Sequence, residues 1–182
     1  SARITGPANS IAQPVPPAPT LSARSWVLMD QATGQVLASR DPELRVEPAS
    51  ITKVMTSYVI AAEMAAGKVK PTDQVMMSEN AWRSGGAGTD GSYSGFEVNQ
   101  AAPLVEMEKG MVVQSGNDAA IALAEHVAGS EAAFAQLMNA YAKKIGMTRS
   151  HFVNPHGLTA EGHVTTARDL AILGRALIRD FP

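Results

Sequence analysis

The sequence predicts an α+β domain in which a β-hairpin comes first and a mainly helical body follows. Two short runs of β-forming residues, 25–30 and 35–39, flank the turn Gln31-Ala32-Thr33-Gly34, which is the pattern of a hairpin. From Ser50 onward the apolar spacing turns helical, and glycines or N-cap residues punctuate it. A hairpin alone is marginal in water. It is therefore expected to be part of a larger sheet whose other strands lie later in the chain than Pro182.

The elements follow in order. Pro14, Pro16, Pro17 and Pro19 crowd the first residues among small side chains with no periodicity. Residues 1–23 thus read as an extended linker, and 24–182 as the domain. Residues 41–48 form a loop. Over 51–66 only Lys53 and Glu63 are charged, and Gly67 follows as a stop. Apolar residues surround this helix on nearly every side, so it is expected to be buried at the centre of the fold. A short strand is expected around 74–77. Residues 83–95 hold five glycines with serine and threonine and read as a long flexible loop. Helices are expected over 104–113, 118–127 and 131–145, the last between Ser130 as N-cap and Gly146. Residues 148–164 read as irregular, with the turn Asn154-Pro155-His156-Gly157, before a final helix over 167–179.

Composition narrows the function classes. The chain has 182 residues, 45% hydrophobic and 18% charged, enough for one domain with a real core. A net charge of -2 gives no basic field for nucleic acid. The apolar stretch 60–66 is broken by Glu63 and too short to span a bilayer. With no cysteine, disulfides, thiolate nucleophiles and zinc–sulfur sites are excluded. The start of the chain lacks the basic and apolar regions of a signal peptide.

The chemistry centres on Ser50-Ile51-Thr52-Lys53. A serine needs a base to act as a nucleophile, and positions three apart share a helix face. Burial in an apolar helix favours the neutral, basic form of Lys53. The helix N-terminus adds positive potential and free N–H groups for an oxyanion. As an isolated tetrad it reads more often as a serine N-cap than as a nucleophile. This is the only Ser-x-x-Lys in the chain, however, and its lysine lies on an otherwise apolar helix. Ser115-Gly116-Asn117 joins two predicted helices. Ser115 is placed to relay a proton between Lys53 and a leaving amine, and Asn117 to hydrogen-bond a substrate amide. Ordinary turn chemistry is the other reading. Ser78-Glu79-Asn80 has the same pattern but lacks the strongly apolar flanks.

As a set, Pro48-Ala49-Ser50-Ile51-Thr52-Lys53, Gln114-Ser115-Gly116-Asn117-Asp118-Ala119 and Ala167-Arg168-Asp169 resemble low-molecular-mass penicillin-binding proteins, and within them the D-alanyl-D-alanine carboxypeptidases. The resemblance runs from about Ser25 to Pro182 and includes Asn154-Pro155-His156-Gly157-Leu158. It implies the penicillin-binding protein and serine β-lactamase fold, with Ser50 as nucleophile toward the bond between the two D-alanines of a peptidoglycan pentapeptide. Lys53 is the implied base, and β-lactams the implied alternative acylating agents. Asp169 falls where the family has an aspartate facing the active site, while Thr166-Ala167-Arg168-Asp169 equally fits a capping box. His156 is implied near the cleft without a catalytic role, and 83–95 as a mobile loop beside it. No metal or organic cofactor is expected. The place of work is extracytoplasmic, with membrane association through a later C-terminal region.

One departure stands out. The family's third motif, Lys-Thr-Gly or a close variant, is absent. Phe181-Pro182 reads as a break inside the domain, which a following segment or a second chain completes. The rival readings are a DD-endopeptidase, a β-lactamase on the same fold, and a non-catalytic penicillin-binding or sensor module. No glutamate motif of the class A β-lactamase type follows Asn117.

Overall fold

The computed structural model describes residues 17–86, 89 and 91–182. Of the expected linker, residues 17–23 are exposed and carry no helix or strand, and the rest lies outside the described residues. The hairpin forms as expected: β1 (Trp26–Met29) runs antiparallel to β2 (Val36–Arg40), with Leu28 opposite Ala38. Its turn is closed by Asp30, whose carboxylate accepts from the Thr33 N–H at 2.7 Å and the Thr33 hydroxyl at 2.8 Å. This is the usual way an aspartate mimics a backbone turn.

A single 3₁₀ turn, Ala49–Ile51, leads into α1 (Thr52–Ala65). Helix α1 therefore begins two residues after Ser50, and Ser50 belongs to the tighter turn. Met55, Val59 and Ile60 are fully enclosed, but Val54 is 37% exposed, which corrects the expected burial on nearly every side. The open side faces a cavity described below. β3 (Gln74–Met76) pairs antiparallel with β4 (Ala101–Pro103), a strand the sequence reading lacked. Three residues ending in proline give too little pattern to read. β4 runs directly into α3 (Leu104–Val113), whose first free N–H groups are taken by the preceding turn: Leu104 donates to the Asp73 carbonyl at 2.7 Å and Val105 to the Pro71 carbonyl at 3.1 Å.

The expected loop over 83–95 is in part a helix. α2 (Glu79–Gly85) is capped by the Ser78 hydroxyl, which accepts from the Ala81 N–H at 3.0 Å, and carries a Glu79–Arg83 ion pair at 2.6 Å. Its last residue explains the glycine there. A Cβ on Gly85 would lie 2.6 Å from the backbone nitrogen of Asp118, so only glycine lets α2 pack this closely on α4 (Asn117–Ala128). α4 is the helix enclosed most completely, with residues 119–124 all buried, and it touches α1, α2, α3, β3 and α5 (Glu131–Ile145).

The last helix, α6 (Ala167–Asp180), packs against β1 and joins the hairpin to the helical body. Arg175 donates to the carbonyls of Gln31 and Ala32 at 2.9 and 3.1 Å. The Thr166 hydroxyl caps α6 by accepting from the Asp169 N–H at 3.1 Å. The Asp169 carboxylate, in a residue only 2% exposed, accepts from the Arg149 N–H at 2.9 Å and the Ser150 hydroxyl at 2.7 Å. Between the capping and active-site readings of Asp169, these bonds follow the structural one. Replacing Asp169 by alanine leaves the Arg149 N–H without this partner and the Ser150 hydroxyl with Thr165 alone, at 2.8 Å. Urea unfolding of Asp169→Ala should show a loss of about 3 kcal/mol, in the range for hydrogen bonds to a charged group.

Candidate active site

The position of Ser50 is set by a close backbone approach. Ala49 has φ +48°, a left-handed conformation that costs a non-glycine residue free energy. Gly157, at φ +99°, lies against it so closely that an added Cβ would overlap the Ala49 carbonyl. The turn that brings Gly157 there is built by Asn154, whose side-chain oxygen accepts from the Gly157 N–H at 2.8 Å while its amide donates to the Leu158 carbonyl at 2.9 Å. Two hydroxyls on the first turns of α1 brace the same segment. Thr56 donates to the Pro155 carbonyl at 2.7 Å, and Thr52 is 2.8 Å from Nε2 of His163. Nδ1 of His163 accepts from the Val153 N–H at 3.0 Å, which fixes the tautomer: Nε2 carries the proton and donates to Thr52.

Lys53 lies one turn further along and is 7% exposed. Burial holds its amine below the ordinary lysine value. That raises the share of the free-base form, which a proton acceptor requires. Ser115 sits on the turn between α3 and α4 at φ +54°, a second strained non-glycine residue at this place. Asn117 opens α4 and is 4% exposed, and its N–H donates to the Ser92 carbonyl at 2.8 Å.

These groups converge. Ser50, Lys53, Ser115, Asn117 and His156 line one cavity of about 230 Å³. Ser50, Lys53 and Ser115 also line a neighbouring apolar cavity of about 270 Å³ with Val54, Val112 and Leu177. The serine–lysine–serine group thus stands where the two spaces meet. Asp169 lines neither. Of the sequence-predicted site residues, the structure brings four together and leaves the fifth elsewhere.

Two residues of the surroundings escaped sequence reasoning. Asp118, 1% exposed, accepts from the Ser94 N–H and the Ser94 hydroxyl, both at 2.8 Å, and from the Ala119 N–H at 2.8 Å. It ties the segment after α2 to the start of α4. The only signal was an acidic residue in a first helical turn. His163 had no signal at all, since its partner Thr52 is remote in sequence. His156 lines the cavity. Burial, and then the Lys53 charge and His163, push its pKa down to about 4, so it is neutral near pH 7. Its Nε2 is 3.9 Å from Glu131, beyond hydrogen-bond reach.

A model of the family described as D-alanyl-D-alanine carboxypeptidase matches residues 11–182. The chain belongs to this family. It is 48% identical over 166 residues to D-alanyl-D-alanine carboxypeptidase DacC of Escherichia coli, covering 91% of this chain and 42% of that protein. With E. coli DacA it shares 44% identity over 169 residues, covering 92% and 42%. Penicillin binding protein 5 from Haemophilus influenzae superimposes with a TM-score of 0.86 at 39% identity, over 93% of this chain and 48% of that one. The chain spans about two fifths of the length of the curated relatives it matches. Its fold is accordingly the penicillin-binding protein and transpeptidase fold expected from the sequence.

A group with a depressed pKa in the folded state favours folding above its unfolded value and loses that contribution as pH falls to the folded value. For His156 the window runs from 6.5 down to about 4, where the unfolded chain binds a proton that the folded chain refuses. His163 acts in the same direction. Stability measured by urea titration should therefore fall with pH across this window, and His156→Gln should flatten the fall.

Proposed function

We propose that the protein is a serine D-alanyl-D-alanine carboxypeptidase that removes the terminal D-alanine from peptidoglycan stem peptides through an ester on Ser50. The observation that carries this is the meeting of Ser50, the buried Lys53, Ser115 and Asn117 in one cavity. The names of the relatives support the carboxypeptidase reading over an endopeptidase. On this reading the protein works outside the cytoplasmic membrane, where peptidoglycan is. No described helix is long and apolar enough to cross a membrane.

The steps follow from the residues. Lys53 Nζ takes the Ser50 proton as Oγ attacks the carbonyl carbon of the penultimate D-alanine. Asn117 holds a substrate amide. The proton passes from Lys53 through the Ser115 hydroxyl to the departing nitrogen, the C–N bond breaks, and D-alanine leaves. Water then attacks the ester, gives a proton to Lys53, and Ser50 regains its hydroxyl hydrogen while the shortened peptide departs. A β-lactam carbonyl enters the same sequence, but its leaving nitrogen stays tethered, so the ester persists.

Intact-mass analysis after incubation with benzylpenicillin tests this. A stable adduct of one ligand mass is expected on a chain extended beyond Pro182 to complete the domain, and none on its Ser50→Ala variant; no adduct on either the given or the extended chain, both folded, would overturn the reading in favour of a non-catalytic module. Rapid turnover of the adduct would instead identify a β-lactamase. Lys53→Gln should slow acylation about 10²–10⁴-fold, the usual worth of a positioned base. In the wild type, the acylation rate should rise with pH and level off below the ordinary lysine value of 10.5, because burial lowers the Lys53 pKa. Stopped-flow acylation across that pH range would measure it.

A further inference from the structure

The segment after α2 serves two cavities. Gly91 and Ser92 line the catalytic one with Ser50 and Asn117. Tyr93, Gly95 and Phe96 line another, of about 380 Å³, together with Trp82 of α2, Glu97 and Asp118. Adjacent residues of the chain, Asn117 and Asp118, thus face one cavity each. The size is within the range of small-molecule sites.

The lining is unusual for this chain. Trp82 is one of only two tryptophans and Tyr93 one of three tyrosines. Trp82 and Phe96 each have one side against the hydrophobic core, which holds their rings in place. Tyr93 is 51% exposed, a large ring in a run otherwise made of glycine and serine, Gly91-Ser92-Tyr93-Ser94-Gly95. Folding gains little from an aromatic there. Its backbone is nevertheless fixed on both sides, by the Asn117–Ser92 bond at 2.8 Å and by the Ser94–Asp118 pair of bonds at 2.8 Å. Such anchoring removes ordering cost from binding.

We propose that this aromatic cavity is a subsite for a pyranose ring of the saccharide to which a stem peptide is attached. The proposal rests on the carboxypeptidase reading for the identity of that substrate. Aromatic faces carry negative charge density and match the C–H face of a sugar ring. Sugar hydroxyl and acetamido N–H groups are donors, and the Glu97 carboxylate on the rim is an acceptor for them. The charge of the lining decides against the acidic peptide itself. Among the described residues its ionisable groups besides Tyr93 are Glu97 and Asp118, both acidic, with no lysine or arginine to receive a carboxylate. A neutral ring with an apolar face fits where a peptide carboxylate is repelled.

The test has two arms on the wild type, Tyr93→Ala and Tyr93→Trp. In the first, the peptide-free disaccharide of N-acetylglucosamine and N-acetylmuramic acid is titrated and followed by NMR shifts of the tryptophan indole N–H signals. Shifts are expected in the wild type and Tyr93→Trp, and about tenfold weaker binding in Tyr93→Ala. In the second, kcat/KM for D-alanine release is compared between the disaccharide-linked pentapeptide and the same pentapeptide without sugar. The wild type should favour the linked substrate about tenfold, Tyr93→Ala should bring the ratio close to one, and Tyr93→Trp should restore it. Absence of disaccharide binding, or an equal loss on both substrates in Tyr93→Ala, would overturn the subsite, the latter by giving the cavity to the peptide. If neither substrate releases D-alanine even in a chain extended beyond Pro182, the carboxypeptidase reading fails by itself, and the titration alone decides whether the cavity takes a saccharide.

Discussion

Asp118 is a nearly sealed carboxylate in the first turn of α4, where backbone N–H groups have no helical partner. It satisfies one of them, Ala119, and reaches out of the helix to hold both donors of Ser94. No buried water or cation is needed to complete it, since three protein donors meet its two oxygens. The geometry leaves no room for a larger neighbour: a Cβ at Gly116 would come within 2.9 Å of the carboxylate. Asn117 beside it inherits its direction from this anchor, and so does the segment that walls both the Ser50 cavity and the aromatic cavity. The helix start, the wall and the Asn117 amide form one mechanical unit.

Lys53 presents the opposite situation. An amine removed from water loses its charged form more readily, and no salt bridge to Lys53 is found among the described residues. Such an arrangement costs stability and persists only where the surroundings over-determine it. Here Thr52 and Thr56, on either side of Lys53 along α1, are both bonded across to the 153–165 segment. The helix therefore cannot rotate to bring the lysine into solvent. Two left-handed non-glycine residues, Ala49 and Ser115, lie at the mouth of the same site, which is where strain is commonly stored for function.

Much of this was legible in the residues, and the failures have physical causes. Ser50 and Lys53 could be paired from local spacing, because helical geometry places such positions together regardless of the rest of the fold. Ser115 and Asn117 could be assigned to a turn between apolar helices, although only tertiary packing brings them to Ser50. α2 was hidden by the glycines at its end, which signal looseness in a sequence and tight packing in the structure: Gly85 is small because α4 lies against it. β4 was too short to carry a period. Thr166 and Asp169 carried the capping signature, and the bonds of Asp169 to Arg149 and Ser150 follow it. His163 and Asp118 act through partners distant in sequence or through backbone groups, and neither leaves a pattern in residue types.

The overlap of Gly157 with Ala49 has a consequence for when the site comes into being. The two positions are separated by more than half of the chain, and a contact of such long range closes late, after its loop entropy has been offset by the contacts between. Until the 154–158 turn has docked, nothing holds Ala49 in its strained conformation, and Ser50 is an ordinary hydroxyl on an ordinary chain. The geometry around Ser50 is in this way assembled only once the two ends of this long-range contact have met, so that the site and the folded state arise together.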